Sequence, residues 1–531
     1  MNSKSKVTVA FLFAFLVLPL WNGFAAAKGS QHPRDRDIPD PDTRAWWHTT
    51  EDLSGDSMQG RDTGSKAYQR AADYVAARFK SARLHPAGDD GSYFQTVDMH
   101  EVSVLPQGTT FTLVRPGGSE TALRFLQQIT ISPAEGLPRQ LESPLTFRGY
   151  CGEEAMRDIA GKIVVCFGSQ RAGLPNNATR VANARAGHAA GLINVDDPYF
   201  DIEPPRWPAA YARSVTLRGS AEPEPTHTLA LPLMRLSAEA FASLLAGSGH
   251  DPATVLKAGG AKQPLADFEI PARLRLRLQV SAADIHSPNV LAILPGNDPA
   301  MRDQYVVVSA HLDGYGFGTA VRGDDLYNGT LDDAAYVALL IQLADDIKAG
   351  KLPPPGRGIL FAAFTGEEKG LLGSHAFVAH PTVPLSQLAA DVNLDQLRPL
   401  FPLKILTAEA LADTTLGETA RRVAGELQIQ LRPDSEPERH LLYRADQYPF
   451  LVEHVPAISF VFGYDPGTES EQRYREWYRV RYHRPQDDLT QPVDFEAARK
   501  FNEFFYRLVH AIAVAPARPE ILPTSQFARA H

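Results

Sequence analysis

Cysteine is scarce in this sequence: the 531 residues include only Cys151 and Cys166. Two thiols so spaced lack further cysteine partners, which argues against a metal site built on thiolates. In an exported chain the two can instead pair with each other. A disulfide between them would close a loop of about 15 residues and stabilise the fold by about 3 kcal/mol.

Basic stretches are also lacking. The chain has 53 Lys and Arg residues against 62 Asp and Glu, a net charge of −9, and no run that interleaves basic and aromatic side chains. Binding of DNA or RNA needs a positive footprint of that kind, so nucleic acid is excluded as a partner. With 44% hydrophobic and 22% charged residues, the chain has an ordinary globular composition and is long enough for more than one domain.

The apolar run near the N-terminus is shorter than the ~20 residues that a membrane-spanning helix needs. This run, VTVAFLFAFLVLPLW, begins after Lys4 and Lys6 and is followed by Ala25, Ala26 and Ala27. The pattern predicts a signal peptide over residues 1–27 rather than a membrane anchor. The mature protein is therefore expected to be secreted or periplasmic, with no stable membrane insertion.

Apolar periodicity divides the rest of the chain. Residues 65–84 carry apolar side chains at helical spacing, which predicts an amphipathic helix packed on a larger body. The sequence pattern of residues 130–270 differs and predicts a compact β-rich insertion with one or two helices. From about residue 285 strands alternate with helices, which predicts a mainly parallel α/β sheet covered on both faces. The predicted units are 28–129 and 271–531 for one catalytic domain and 130–270 for an inserted domain.

Imidazoles and carboxylates follow the strands of this predicted sheet. They are His311 and Asp313 after VVVSA, Asp332 and Asp333 in NGTLDDAA, Glu367 and Glu368 in FTGEE, Asp395 in NLD, and His483 in RYHRPQDD. Each alone has a structural explanation, such as a helix cap for an aspartate at a helix start. Ligands of α/β sheets bind beyond the carboxyl ends of the strands, so these side chains are expected to converge. The set fits zinc, which takes imidazole nitrogen and carboxylate oxygen.

Glu367 and Glu368 pose a separate question, because adjacent like charges repel each other at the end of an apolar strand. If one of them binds a cation, the repulsion is removed. The other is then free to take a proton from water as a general base. A turn at Thr365 and Gly366 would let both side chains point into the same site.

Five fragments resemble one family. The chain is similar to the M28 zinc metallopeptidases, the co-catalytic di-zinc aminopeptidases, in SAHLDGYG, YNGTLDDAA, FTGEEKGLLGS, NLD and YHRPQDD. Residues 130–270, with GKIVVC and ANARAGHAAGLI, resemble a protease-associated (PA) domain, a frequent insertion in that family. The resemblance implies a zinc-peptidase α/β fold, two Zn²⁺ ions and peptide substrates.

The resemblance also implies a role for each residue. His311 and Asp395 would bind one zinc ion, Glu368 and His483 the second, and Asp332 would bridge the two. Glu367 would be the general base, and Asp313 would hydrogen-bond His311 to orient its ring. Asp333 would shape the backbone beside the bridging residue.

Substrate class is left open by departures from the family pattern. The family often has Ser-Asp-His where this chain has Ala445, Asp446 and Gln447, and Ser-Gly where it has Ala335 and Tyr336. An acidic metal rim can accept hydrogen bonds from an ammonium group, which favours an aminopeptidase acting on peptides with a free N-terminus.

Three other functions remain as alternatives. An M28-type carboxypeptidase acting on acidic C-termini would need cations, for which Arg444 is the local choice. The chain ends soon after His483, without room for the large helical domain of such relatives. A glutaminyl-cyclase-like transferase is disfavoured by the presence of His311. A receptor-like relative without metals is disfavoured by the complete ligand set.

Overall fold

The computed structural model describes residues 32–168, 171–200, 206–219, 230–395 and 397–529. The predicted signal peptide, residues 1–27, lies outside the described residues. Within the described ranges no helix is both long and apolar enough to cross a bilayer.

The strands of the described ranges form two large sheets and one hairpin. In chain order they are β1 (His85–Pro86), β2 (Phe94–Val104), β3 (Thr110–Val114), β4 (Glu120–Leu123), β5 (Ile129–Ile131), β6 (Gln140–Arg148), β7 (Ile163–Phe167), β8 (Gly191–Val195), β9 (Arg213–Leu217), β10 (Leu233–Leu236), β11 (Asp267–Arg277), β12 (Val280–Leu294), β13 (Tyr305–His311), β14 (Gly316–Val321), β15 (Asp324–Tyr327), β16 (Gly358–Phe364), β17 (Leu388–Asn393), β18 (Ile405–Glu409), β19 (Gln430–Pro433) and β20 (Ala457–Gly463).

The α-helices of the same ranges lie in both halves of the chain. They are α1 (Pro41–Ser54), α2 (Lys66–Ser81), α3 (Asn177–Ala186), α4 (Phe241–Leu245), α5 (Pro252–Gly260), α6 (Ala335–Lys348), α7 (Leu372–Ala379), α8 (Leu416–Glu426), α9 (Gln447–Val452), α10 (Glu469–Val480) and α11 (Phe495–Val514). The amphipathic helix predicted over 65–84 is α2, which Ser65 caps by accepting a hydrogen bond from the Tyr68 backbone N–H.

The main sheet has the order β19-β18-β20-β17-β13-β16-β12-β2-β9, with β1 paired to β12. Its centre, β20-β17-β13-β16, is parallel, whereas β16-β12-β2-β9 and the β18-β20 pair are antiparallel. The central strands are apolar runs buried on both faces, as parallel strands beneath helices must be. The predicted α/β class is confirmed, and the sheet is mixed, with its parallel part at the centre.

Helices cover both faces of this sheet. Helices α1, α2, α6, α8, α10 and α11 build the larger apolar core on one face. The smaller α7 and α9 pack on the other face through Phe377 and Phe450. The carboxyl ends of the central strands are thereby left as one edge between the two layers.

A second sheet has its own core and the order β4-β3-β11-β6-β7-β8-β10-β5. Its strands come from residues 110–277, a wider range than the predicted 130–270. From within the predicted block, β9 contributes only an edge strand to the main sheet, on β2. A disulfide joins Cys151 and Cys166 on this sheet, as predicted. The identification as a PA domain stays a prediction.

Candidate metal centre

His311 is the last residue of β13, and its backbone and ring are both held. Its backbone N–H donates to Oδ2 of Asp333 at 3.1 Å. Its ring nitrogen Nδ1 lies 3.1 Å from the backbone carbonyl oxygen of Asp313. With Nδ1 engaged by a carbonyl acceptor, Nε2 is the nitrogen that presents a lone pair to the site.

Asp332 lies between two imidazoles. It sits in a wide helical turn, Thr330–Ala334, that follows Gly329 in the left-handed conformation. Its Oδ1 is 3.4 Å from Nε2 of His311, and its Oδ2 is 3.2 Å from Nε2 of His483. One carboxylate therefore offers one oxygen to each histidine, which is the arrangement expected of a bridging ligand.

Glu367 and Glu368 follow β16 through a left-handed Gly366 and form a 3₁₀ turn. This turn lets both carboxylates enter the site from consecutive positions. Oε2 of Glu367 lies 3.9 Å from Nε2 of His311, whereas Oε2 of Glu368 lies 3.2 Å from Nε2 of His483. The two glutamates thus face different histidines.

Asp395, two residues beyond β17, completes the set. Two groups each offer ligand atoms within 4.8 Å of one another: His311 with Asp332 and Asp395, and Asp332 with Glu368 and His483. The structure brings together all five residues predicted as metal ligands, with the predicted general base beside them. Asp332 is the one member that the two groups share.

Asp313 positions its neighbours in a way that differs from the prediction. Its carboxylate accepts hydrogen bonds from the Thr63 hydroxyl at 2.8 Å and from the Glu367 backbone N–H at 3.0 Å. The same carboxylate stands 3.7 Å from Nδ1 of His311, too far for a hydrogen bond. The bond to the ring comes instead from the backbone carbonyl of Asp313. This residue therefore ties the ends of β13 and β16 together.

The cluster is rich in buried negative charge. Burial raises the pKa of Glu367 well above its ordinary value. Burial and the neighbouring Asp332 raise the pKa of Glu368 to about 8. Burial would also raise the pKa of Asp332, but the positive charge of Arg398 and the nearby His311 and His483 outweigh it and hold that pKa well below its usual range. Such a cluster of carboxylates ionises fully only with added positive charge.

The residues present fit zinc. Nε2 of His311 and Oδ2 of Asp332 are buried and have no hydrogen-bond partner in the described part of the chain. A buried polar atom without a partner is costly unless something else binds it. Imidazole nitrogen and carboxylate oxygen are the donors that zinc takes. Two three-residue groups sharing one carboxylate match a two-ion centre.

Arg61 is a residue that the sequence did not single out. Its guanidinium is fully buried and donates to the carbonyls of Leu312 at 2.8 Å, Asn328 at 2.8 Å and Gly329 at 2.8 Å, and to that of Leu53 at 2.9 Å. It therefore fastens the segment after His311 to the segment before Asp332. The fragment GRDTGSK contained it, but no local signal marks a buried arginine.

A strap from the second sheet's half of the chain, residues 206–213, reaches the rim of the centre. Arg206 contacts Nδ1 of His483, and its guanidinium lies 4.9 Å from the centroid of the Tyr482 ring. Tyr315 also faces Nδ1 of His483, at 2.9 Å from its hydroxyl. Neither Arg206 nor Tyr315 was predicted. Arg206 belongs to a block that is remote in sequence from the other residues of the centre.

The chain was then compared with known proteins. Residues 289–509 match the sequence profile described as "Peptidase family M28". A "Probable zinc metalloprotease" of Pyrenophora tritici-repentis is 27% identical over 271 residues, which cover 44% of this chain and 59% of that protein. A protein of the same description from Pyrenophora teres f. teres is 27% identical over 250 residues, covering 44% and 50%. The chain thus spans between half and three-fifths of the length of these relatives.

Solved structures support the fold. An aminopeptidase from Aneurinibacillus sp. strain AM-1 superposes with a TM-score of 0.58 at 17% identity, covering 91% of this chain and 96% of that one. BSAP, a zinc aminopeptidase from Bacillus subtilis, gives 0.56 at 18% identity, covering 88% and 94%. The predicted resemblance to M28 zinc metallopeptidases is confirmed.

Proposed function

We propose that this protein, whose residues 289–509 belong to peptidase family M28, is an exported di-zinc aminopeptidase that releases N-terminal residues from peptides. The observation that carries the proposal is the shared carboxylate of Asp332, which faces His311 on one side and His483 on the other. A single-ion hydrolase has no need for a second imidazole on that carboxylate.

Each ion would have three protein ligands. His311, Asp332 and Asp395 would hold one, and Asp332, Glu368 and His483 the other. Bound zinc would supply Lewis acidity at the scissile carbonyl and lower the pKa of water. Three protein ligands per ion leave positions open for substrate, as catalytic sites require.

Glu367 is assigned the proton transfers. Its carboxylate would take a proton from the attacking water and return it to the amine that leaves. Burial raises the pKa of Glu367, the direction that a general base working near neutral pH needs. Asp313 holds the Glu367 backbone N–H, and so fixes the turn from which the base projects.

The requirement for a free N-terminus is part of the proposal. The carboxylates of the centre can accept hydrogen bonds from a substrate ammonium group. Glu367 is the most exposed of them, with a side chain that is 10% accessible. An amine bound there would place the first peptide bond beside the centre.

Export is supported by the disulfide between Cys151 and Cys166. Disulfides persist in oxidising compartments and are rare where thiols are kept reduced. Together with the predicted signal peptide, this favours a secreted or periplasmic protein.

The test compares free and blocked substrates. Purified protein is assayed on a panel of aminoacyl p-nitroanilides and short peptides, each also in its N-acetylated form, before and after dialysis against a chelator. Cleavage of free substrates only, abolished by the chelator and restored by zinc, is expected. Equal rates on acetylated and free peptides would rule out the aminopeptidase.

An M28-type carboxypeptidase remains a second candidate, and one observation favours it. Arg206 lies against His483. Burial lowers the pKa of that histidine, and the positive charges of Arg206 and Arg444 lower it further. The sequence had suggested Arg444 alone. Two cations beside the centre would suit a substrate carboxylate. Release of C-terminal acidic residues from N-acetylated peptides would identify this activity.

A further inference from the structure

A second group of metal-ligand side chains lies at the N-terminal end of the described chain. His48 and Glu51 stand on α1, and His32 lies just before the first short helix. The three residues each offer a ligand atom, and these atoms lie within 4.8 Å of one another. None of them belongs to the two groups that share Asp332.

The chain places these groups together by simple geometry. His48 and Glu51 are three residues apart on one helix and therefore share a face. His32 folds back so that its ring stacks on that of His48, with centroids 3.6 Å apart and an interplanar angle of 18°. Nδ1 of His32 contacts the carboxylate of Glu51.

A fourth side chain orients His48. Nε2 of His48 lies 2.6 Å from Oδ1 of Asp35. Histidine ligands of metals usually donate their other ring N–H to a carboxylate in this way, which fixes the tautomer. If Nε2 of His48 carries the proton, Nδ1 holds the lone pair.

Ion pairing alone accounts poorly for the arrangement. Two His–carboxylate ion pairs would require both rings to be protonated. Two imidazolium rings stacked at 3.6 Å would repel each other. A cation held by both rings and Glu51 removes the conflict.

We propose that His32, His48 and Glu51 bind a third divalent transition-metal ion, separate from the catalytic pair. Two imidazoles and one carboxylate suit Zn²⁺, Ni²⁺ or Cu²⁺, whereas Ca²⁺ and Mg²⁺ prefer oxygen ligands alone. The site does not rest on the proposed peptidase activity.

The ion would cross-link two segments of the chain. It would join His32, at the start of the described chain, to α1, whose Trp46 donates to the Ala335 carbonyl at 2.6 Å. The same segment is already tied down by Arg34, which donates to the Gln491 carbonyl at 2.7 Å. Metal bound at such a position stabilises the folded state by its binding free energy.

The test counts zinc in tag-free protein. Chelator-treated wild type and two variants, His48→Gln and His32→Gln, are titrated with Zn²⁺ and their metal content is measured after removal of excess ion. Three ions per chain are expected in the wild type and two in each variant, with kcat/KM unchanged. His32 lies outside α1, so its substitution changes no residue of that helix.

The control is His286→Gln. His286 is also paired with a carboxylate, Asp98, at 2.6 Å, but within the described ranges it belongs to no group of three metal-ligand residues, so this variant should keep three ions. Equal ion counts in the wild type and in both His32→Gln and His48→Gln would overturn the proposal, whatever the number of ions in the catalytic centre. A protein without peptidase activity whose variants still bind one ion fewer than the wild type would contradict the proposed function and support this site.

Discussion

Glu367 and Glu368 are neighbours in sequence, yet their carboxylates serve different partners. The left-handed Gly366 ends β16, and the 3₁₀ turn that follows turns Glu367 toward His311 and Glu368 toward His483. A ligating carboxylate is a poor proton acceptor, because the cation lowers its pKa. In the proposed mechanism the ligand and the base must therefore be separate residues, and this turn offers one carboxylate for each role.

Substituting each glutamate should separate these roles. Glu367→Gln keeps the shape and removes the base, so zinc content should stay at the wild-type value while kcat falls by about 10²–10⁴-fold. Glu368→Gln weakens one ion site, so zinc content should fall and excess zinc should restore part of the activity. Elemental analysis beside steady-state kinetics measures both effects.

The opposite pattern would reverse the assignment. If Glu367→Gln loses zinc while Glu368→Gln keeps both ions and loses only turnover, the base and the ligand have been exchanged. If neither change affects turnover, the hydrolase assignment itself fails.

Arg61 should matter for the metal centre although it touches no ligand side chain. Arg61→Lys keeps the charge, but one ammonium group cannot reach the carbonyls of both Leu312 and Gly329. The two ligand-bearing segments should lose their fixed spacing. We expect zinc affinity to fall by about 10–100-fold, as for other partners outside the ligand shell, and excess zinc to rescue kcat.

Arg70→Lys is the matched control for this change. Arg70 lies in the following helix and donates to the Ser57 carbonyl at 2.8 Å, but it is exposed and contacts neither ligand segment. Its variant should bind zinc as the wild type does. A loss of activity in Arg61→Lys that excess zinc leaves uncorrected, at unchanged zinc affinity, would contradict the positioning role.

Glu409, at the end of β18, gives a pH-dependent prediction away from the metal centre. Burial, with Asp434 nearby, raises its pKa to about 8. Between pH 4.5 and 8 the Glu409 carboxyl therefore keeps its proton in the folded state and has lost it in the unfolded state. Stability is therefore lost as pH rises from about 4.5 to 8, by up to about 5 kcal/mol. Glu409→Gln should remove that loss, as urea unfolding at pH 5 and pH 8 would measure. An equal pH dependence in both proteins would contradict it.

The residues of the centre were more predictable than the residues around it. His311 ends a recognisable apolar strand, Glu368 lies just after one, and Asp332 lies just before a helix, so their type and position carry the signal. Arg61 and Arg206 have no such signal in the sequence. An arginine that supports a site cannot be told from a surface arginine until its tertiary contacts are known. Asp313 was predicted to hydrogen-bond His311, and the bond is made by its backbone carbonyl, an acceptor that the sequence does not distinguish.

At the scale of elements, the centre depends on where parallel strands end. His311, Glu367 and Asp395 follow β13, β16 and β17, which are adjacent in the sheet. Continuous apolar runs predicted these strands, because both of their faces are covered. The antiparallel flank was not predicted. The pairing of β12 with β2 joins segments nearly 200 residues apart, and such a partner choice leaves no local pattern.

The disulfide is predicted to stabilise the second sheet and not the metal centre. Cys151 and Cys166 are 15 residues apart and pack in a small core of their own beside β7 and β8. Replacing both by alanine should lower the free energy of unfolding by about 3 kcal/mol. Zinc content and kcat/KM should be unchanged.

Reduction of the wild type is the control, because it opens the same loop without altering the side chains. Its stability should fall toward that of the double variant. A loss of zinc on reduction would show instead that the disulfide supports the catalytic domain.

At the scale of the whole molecule, the main sheet and the second sheet are joined by long strands and charged contacts. Strands β2 and β12 belong to the main sheet, yet Val102, Val104 and Val280 at their far ends lie in the core of the second sheet. The strap over 206–213 adds a second connection. Ala210 within it accepts a hydrogen bond from the Thr319 backbone N–H at 2.9 Å. The second sheet is thus attached beside the catalytic rim.

Arg213 is the main charged tie in this connection. Its Nη1 lies 2.6 Å from each carboxylate oxygen of Asp62, its Nε donates to Glu101 at 2.7 Å, and its Nη2 donates to the Thr63 carbonyl at 2.9 Å. Thr63 in turn donates to Asp313. Removing the arginine should therefore disturb both the attachment of the second sheet and the support of the centre.

Arg213→Ala leaves the two largely buried carboxylates, Asp62 and Glu101, with less positive charge nearby. Breaking a buried ion pair on one side costs about 3–5 kcal/mol, and Lys369, 3.4 Å from Asp62, should keep the loss near the lower figure.

Arg273→Ala is the control, since Arg273 pairs with Glu142 at 3.0 Å on an exposed face and should cost less than about 1 kcal/mol. Urea unfolding followed separately by far-UV circular dichroism, which reports both sheets, and by loss of activity, which reports the main-sheet half, measures both variants. Because the tie joins the two halves, the two probes should diverge in Arg213→Ala and coincide in Arg273→Ala. Coincident transitions with equal, small losses in both variants would mean that the long strands alone hold the second sheet in place.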